Sequence, residues 1–432
     1  MKKIFSILII LIITTSASAQ ENTGDLKQLI NASFGYFPKF KELQETVNTG
    51  EHRVKLAKSG GLPTLNAQGS YSYSYPVSEI SAVSGDQVSA FKIMPNNKYS
   101  TMLNASYTLW DFGAVKASVD MKKSELESAK HNLDFYRSEV AFQVADIYYQ
   151  VVYLKKAISI ENSVIQFLEE NKKDTEIKLK NGDALRYDVL SIQSSVDQEN
   201  NNKIALKNAL DKQIALLEYT TGKKIETNSS NFEFPAVTQS TAEQALESAK
   251  KNNSEFDLIR DQVKQAEAQV KLSHSKSKPS IILNAATGYT NGYTPDIDDF
   301  RYNYNAGVTL KIPIYEGGKY KEEINIAKST LQESKYAEET LENTFLKDIR
   351  EILIDIESSS SSIINSKKQA EQALEAQKLA QSRYKNGIGT YLELTNASTN
   401  VQRAELTTLQ YEHQLCVGQY NLARITGLNY WQ

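Results

Sequence analysis

The sequence predicts an α+β membrane protein made of two tandem copies of one unit, a strand hairpin followed by a long α-helical hairpin. Three observations carry this reading. Landmarks recur at a constant offset: Gly113 answers Gly318, Asn181-Gly182 answers Asn386-Gly387, and Thr221-Gly222 answers Thr426-Gly427, each pair 205 positions apart. Equal arms between landmarks are the mark of an internal repeat. Between Gly113 and Gly182 lie 68 residues without proline or glycine, enough for a helix about 100 Å long. Four further stretches of about ten residues alternate between apolar and polar side chains, which is the period of a strand.

The first residues read as a secretory signal, 1–19. Lys2-Lys3 precede the short apolar run Ile4 to Ile13, and Ala17-Ser18-Ala19 supplies small residues for cleavage before Gln20. The run is about ten residues, where a membrane span needs about 20. No cysteine follows the cleavage site to take a lipid anchor, and the lone Cys416 has no internal disulfide partner.

The first copy occupies 20–222. From Gln20 to Gly60 the pattern is helical, with Leu26, Leu29, Ile30, Phe34, Phe37, Phe40, Leu43, Val47, Val54 and Leu56 apolar, and Gly60-Gly61-Leu62-Pro63 stops it. Strands follow. Ala67, Gly69, Tyr71, Tyr73 and Tyr75 alternate with Asn66, Gln68, Ser70, Ser72 and Ser74, and Tyr99, Leu103, Ala105, Tyr107 and Leu109 alternate with Ser100, Asn104, Ser106 and Thr108. Residues 223–239, with Pro235 among many Asn, Ser and Thr, read as a linker. The second copy, 240–432, repeats the helical stretch to Lys278-Pro279 and gives strands near 281–290 and 302–312. The strand loops fall at 77–98 and 291–300.

Strands of this length, with a tyrosine-rich face, suit a tilted barrel strand in a membrane. Alternation alone leaves a soluble antiparallel sheet with one wet face open as well. Four strands cannot close a barrel, and an open edge cannot sit in lipid. Several chains must then share one barrel, and three copies give twelve strands, an even number of the kind such barrels use.

The long segments carry a seam. Val140, Val144, Ile147, Val151, Leu154, Ile158, Ile165 and Leu168 follow four-three spacing with one lapse at Glu161, and Phe345, Ile349, Ile352, Ile356 and Ile363 repeat it with the lapse at Ser359. Asn181-Gly182 and Asn386-Gly387 turn the chain into return arms, 183–219 and 388–424. A two-stranded cytoplasmic coiled coil would also show such a seam, but it needs neither a signal nor barrel-like strands.

Several function classes are disfavoured. A net charge of −3 gives no basic field for nucleic acid. His52, His131, His274 and His413 are far apart and show no metal-ligand spacing, and no phosphate loop or nucleophile elbow is present, so neither enzyme activity nor a cofactor is expected.

The chain resembles the TolC-like outer-membrane efflux proteins over essentially its whole mature length. The marks are Leu62-Pro63 and Lys278-Pro279 ending the first helices, the strand exits Leu109-Trp110-Asp111-Phe112-Gly113 and Ile314-Tyr315-Glu316-Gly317-Gly318, and the hairpin turn followed by Asp188-Val189-Leu190. The resemblance implies a homotrimer in the outer membrane of a Gram-negative bacterium, with a twelve-stranded barrel continued by an α-helical barrel in the periplasm. It implies a periplasmic adaptor and an inner-membrane RND or ABC transporter as partners, the channel passing substrates passively. The exit duct of a type I protein secretion system is the alternative with the same architecture. At the periplasmic end the resemblance implies a gate in which Asp188 meets Tyr384 and Glu393 forms an acidic ring. Gly389 stands where a lock arginine would be and Asn396 where a second acid would be, with Arg186 as a substitute cation. A solvated helix face or a helix-dipole role is the alternative for Asp188 and Glu393. The tips, Gly182, Asp183, Ala184, Leu185 and Gly387, Ile388, Gly389, Thr390, are the expected adaptor contacts, since Leu185 and Ile388 have no evident core to enter.

Overall fold

The computed structural model describes residues 23–84, 87–224, 231–237 and 241–432. The signal expected at 1–19, the start at Gln20 and part of the linker 223–239 lie outside them. The elements run α1 (Thr23–Tyr36), α2 (Pro38–Ser59), β1 (Thr64–Tyr73), β2 (Glu79–Ser84), β3 (Gln87–Lys92), β4 (Asn97–Trp110), α3 (Ala114–Asn181), α4 (Arg186–Thr221), α5 (Ala242–Asn252), α6 (Ser254–Lys276), β5 (Ser280–Thr290), β6 (Arg301–Lys311), α7 (Lys319–Lys385) and α8 (Tyr391–Ile425). They form two compact units, one of Met1–Phe37, Ser138–Thr241 and Arg350–Gln432 and one of Pro38–Arg137 and Ala242–Ile349. The helices α3 and α7, 68 and 67 residues long, each run through both. No helix among the described residues is long and apolar enough to cross a membrane.

In the second unit β1, β4, β5 and β6 form one antiparallel sheet in that order. Its polar face is laced across the strands: Asn104 Nδ2 donates to Asn66 Oδ1 at 3.3 Å, Ser106 Oγ to Asn284 Oδ1 at 3.0 Å, and Asn284 Nδ2 to Thr309 Oγ1 at 3.3 Å. Its other face is aromatic, with Tyr71 against Tyr99 and Tyr289 against Tyr302, centroids 5.2 and 5.6 Å apart. Tyr71, Tyr73, Tyr302 and Tyr304 remain exposed, so this face has no apolar partner among the described residues. The outer strands β1 and β6 each pair on one side only. At the exit from β4 the Asp111 carboxylate accepts from the N–H groups of Gly113 (2.9 Å) and Val115 (2.6 Å), which starts α3.

Three details differ from the sequence reading. The helical stretch expected as one piece from 20 to 60 breaks at Phe37, because Pro38 lacks an N–H and takes the first position of α2. The stretch 240–278 likewise splits into α5 and α6 at Asn253, whose side chain accepts from the Glu255 N–H at 2.8 Å. The loop 77–98 also contains a hairpin of its own, β2 with β3, where Ile80 pairs with Phe91.

In the first unit the seam of α3 is buried. Val140, Val144, Val151, Leu154 and Leu168 are all nearly inaccessible. Both lapses are buried as well, Glu161 to 3% exposure and Ser359 to 7%. Lower down, Val164, Leu168, Ile192 and Val196 make a cluster between α3 and α4, against which Tyr391 of α8 packs.

Candidate functional site

The hairpin tips are built by one turn used twice. In the first, the Asp183 N–H donates to the Lys178 carbonyl (2.8 Å) and the Gly182 N–H to Leu179 (3.1 Å); in the second, Ile388 donates to Arg383 (3.0 Å) and Gly387 to Tyr384 (3.2 Å). These are the six-to-one and five-to-two bonds that close a helix with a left-handed residue. Gly182 and Gly387, at φ +85° and +74°, supply it, where a side chain would cost about 1 kcal/mol.

The helices that leave the turns start differently. Leu185, in extended conformation before α4, offers no side-chain cap, so Asp188 on the first turn accepts the Leu185 N–H at 3.0 Å. Thr390 before α8 caps with its hydroxyl, accepting the Glu393 N–H at 3.2 Å. Asp188 and Glu393 occupy the same position in the two copies. Only Asp188 spends its carboxylate on its own backbone. Glu393 instead faces Arg383, Oε2 to Nε 3.6 Å, with both side chains half exposed. Arg383 is the cation beside Glu393; Arg186, expected as a substitute cation, is exposed and makes no ion pair among the described residues.

Gly389, where the resemblance implied an arginine, is closely packed. A Cβ on it would lie 3.0 Å from Arg383 Cβ and 3.1 Å from the Tyr384 nitrogen, and its own N–H donates to the Arg383 carbonyl at 3.0 Å.

Tyr384 is the centre of the tip. It is 7% exposed at the end of α7. Its hydroxyl lies 2.7 Å from Thr175 Oγ1 on α3, and since Thr175 donates to the Asn171 carbonyl, the phenol is the donor. The Lys178 ammonium stands 4.3 Å above its ring and donates to its carbonyl. Burial first, then the charge of Asp188, raises the phenol above its ordinary pKa. The direct hydrogen bond of the Tyr384 hydroxyl goes to Thr175, and the Asp188 carboxylate is hydrogen-bonded to the Leu185 N–H. Two further links join the hairpins: Tyr391 with Ser195 at 3.3 Å and Lys385 with Asp174 at 3.8 Å. Thr175, Lys178, Arg383 and Tyr391 were not singled out by sequence; their signal is their position within two turns of the tip glycines.

Several large apolar side chains are exposed around the tips. Leu185, Tyr187, Leu190, Ile388 and Leu392 are all well exposed. Asp183 and Gly387 are exposed beside them, and Ala184 is half-buried.

Comparison with known proteins identifies the family. The family described as outer membrane efflux protein matches residues 37–223 and 245–428. Nodulation protein T of Rhizobium leguminosarum bv. trifolii is 21% identical over 89% of this chain and 82% of its own length. Outer membrane protein TolC of Escherichia coli is 21% identical over 99% of this chain and 87% of its own. Among solved structures, the outer-membrane channel OprN superposes with a TM-score of 0.79 at 16% identity, covering 95% of this chain and 92% of that one. With two matched segments that take in both strand hairpins and both helical hairpins, the chain belongs to the outer membrane efflux protein family and is a protein of the outer membrane.

Proposed function

We propose that three copies close one twelve-stranded barrel in the outer membrane, that their helical hairpins form the periplasmic conduit, and that the tips shut it at rest. The chain passes what an inner-membrane RND or ABC transporter expels through a periplasmic adaptor. The observation that carries this is the four-stranded sheet with both edges open and an uncovered aromatic face. Such edges cannot stand in lipid, and only further copies of the same sheet supply strands of matching length and register. In this reading Asp188, Tyr384 and Glu393 hold the closed tip, Arg383 takes the cationic part first expected of Arg186, and three Glu393 side chains ring the pore and concentrate cations. The exposed apolar residues around Gly182, Asp183, Ala184, Leu185 and Gly387, Ile388, Gly389, Thr390 are where the adaptor docks.

The mass of the detergent-solubilised complex tests the first part: a trimer is expected, and a monomer refutes the shared barrel. Single-channel recording in planar bilayers tests the second. A low resting conductance is expected, and a wide-open channel at rest would remove the tips from the gate.

A further inference from the structure

The lapse in the α3 seam is a carboxylate. Glu161 is 3% exposed, and a charge buried so deeply needs a partner. Its partner is neutral. The Gln402 amide of α8 donates to Glu161 Oε1 and Oε2 at 3.0 and 3.1 Å and to Glu199 Oε2 of α4 at 2.8 Å. Asn202 donates to the same oxygen of Glu199 at 3.0 Å. An amide has two N–H groups and no charge, so two carboxylates meet across it with no cation between them.

The surroundings add none. On α3 the adjoining turns place Ala157, Ile158, Val164 and Ile165 beside Glu161. Lys203 lies one turn beyond Glu199 on α4 and Glu405 one turn beyond Gln402 on α8. Among the described residues neither forms an ion pair or hydrogen bond with the pair, and Glu199 is the charged group that bears on Glu161. Burial chiefly, opposed by the Gln402 amide and reinforced by Glu199, pushes Glu161 up to about 7. Glu199 and Gln402 also line an open cavity of about 280 Å³ with Thr395 and Ser398. Ser398 is 2% exposed and its Oγ, like Thr395 Oγ1, has no hydrogen-bond partner. The cavity thus sets Glu199 and Gln402, the direct neighbours of Glu161, at a partly polar opening.

We propose that Glu161 and Glu199 hold one proton between them and, with Gln402, form a clip that joins α8 to the first hairpin and loosens when the proton leaves. The clip rests on the tip reading only for its consequence, since Gln402 lies two to three turns above Glu393 on α8. Freed of the clip, α8 moves more readily with its tip. The sign follows from the raised carboxyl: the clip is whole below the ordinary carboxylate range and is lost as pH rises through about 7.

Three measurements on the full-length complex in detergent or bilayers test it. The first is pH-difference infrared spectroscopy between about pH 6 and about pH 8. The wild type should show a carboxylic-acid carbonyl band that vanishes on the alkaline side, and Glu161→Gln should lack it. Glu199→Gln keeps Glu161 buried but removes its partner, so the band should disappear at lower pH. The second is thermal melting over the same range, with a midpoint that falls in the wild type and stays level in Glu161→Gln. The third is conductance, which should rise with pH in the wild type and not in Glu161→Gln. The absence of a band that Glu161→Gln removes, or parallel melting profiles, overturns the clip. A band and a melting difference with conductance level across pH uphold the clip and overturn the tip reading.

Discussion

In the first tip a carboxylate, Asp188, turns back to accept the N–H before its helix; in the second a hydroxyl, Thr390, caps the helix by accepting the Glu393 N–H and leaves the Glu393 carboxylate to face Arg383. The turn before each helix is the same, down to the pair of backbone bonds. What differs is which side chain is consumed in holding the backbone. Two acids at one repeat position therefore have different freedom: one belongs to its own helix, the other can face a pore or an arginine. The same contrast extends inward. Tyr384 and its backbone bind across to α3, while Leu179, its counterpart in the first copy, is a half-buried apolar residue.

The comparison breaks most visibly at Tyr384. Tyr384→Ala removes a buried ring and the Thr175 bond, at a cost of about 3 kcal/mol, and should raise resting conductance. Leu179→Ala should cost about 1 kcal/mol, because less surface is lost. Equal melting shifts for the two would erase the asymmetry. Next comes Gly389→Arg. An arginine at this position should destabilise the tip by about 1 to 3 kcal/mol through overpacking against Arg383, whereas Ala184→Arg at the matching position should change melting little. A Gly389→Arg channel that closes more tightly would refute the steric account.

Asp188→Ala and Glu393→Ala sharpen the contrast further. The first loses a helix cap worth about 1 kcal/mol and loosens the closed tip; an unchanged closed-state conductance would sink that expectation. The second keeps its Thr390 cap, so its melting should hold while cation selectivity drops. The smallest effect is expected of Arg383→Ala. The pair with Glu393 is exposed on both sides and worth about 0 to 0.5 kcal/mol, and chemical denaturation should barely register it.

Much of this was legible in the residues. The proline- and glycine-free run gave α3 its bounds, Ala114 to Asn181, because nothing inside it could break a helix. Glycines at matched offsets marked both turns, since only they accept the left-handed conformation cheaply. Alternation gave four strands because each has one polar and one apolar face. Short features were harder. The hairpin of β2 and β3 has six-residue strands, too few for a periodic signal to rise above a polar loop. The break at Phe37 was signalled by Pro38 but hidden by continuous apolar spacing on both sides. Partners in the site were the least legible. Glu161 was visible as a lapse in the seam, yet no local pattern says that Gln402, 241 positions away, would meet it. Nor does the sequence say that Gly389 is wedged against Arg383, a packing fact set by how the turn folds back.

The open edges of the sheet have a consequence in time as well as in structure. In the proposed trimer, strands β1 and β6, each paired on one side within the chain, find their second neighbours on other chains, so a single chain would not finish its membrane part alone, however well its helices pack. Completion then depends on encounters among three molecules, so its rate should climb steeply with the number of chains present. Until they meet, each must travel with its edges shielded from one another, and scarcity rather than instability sets the lag before a working channel exists.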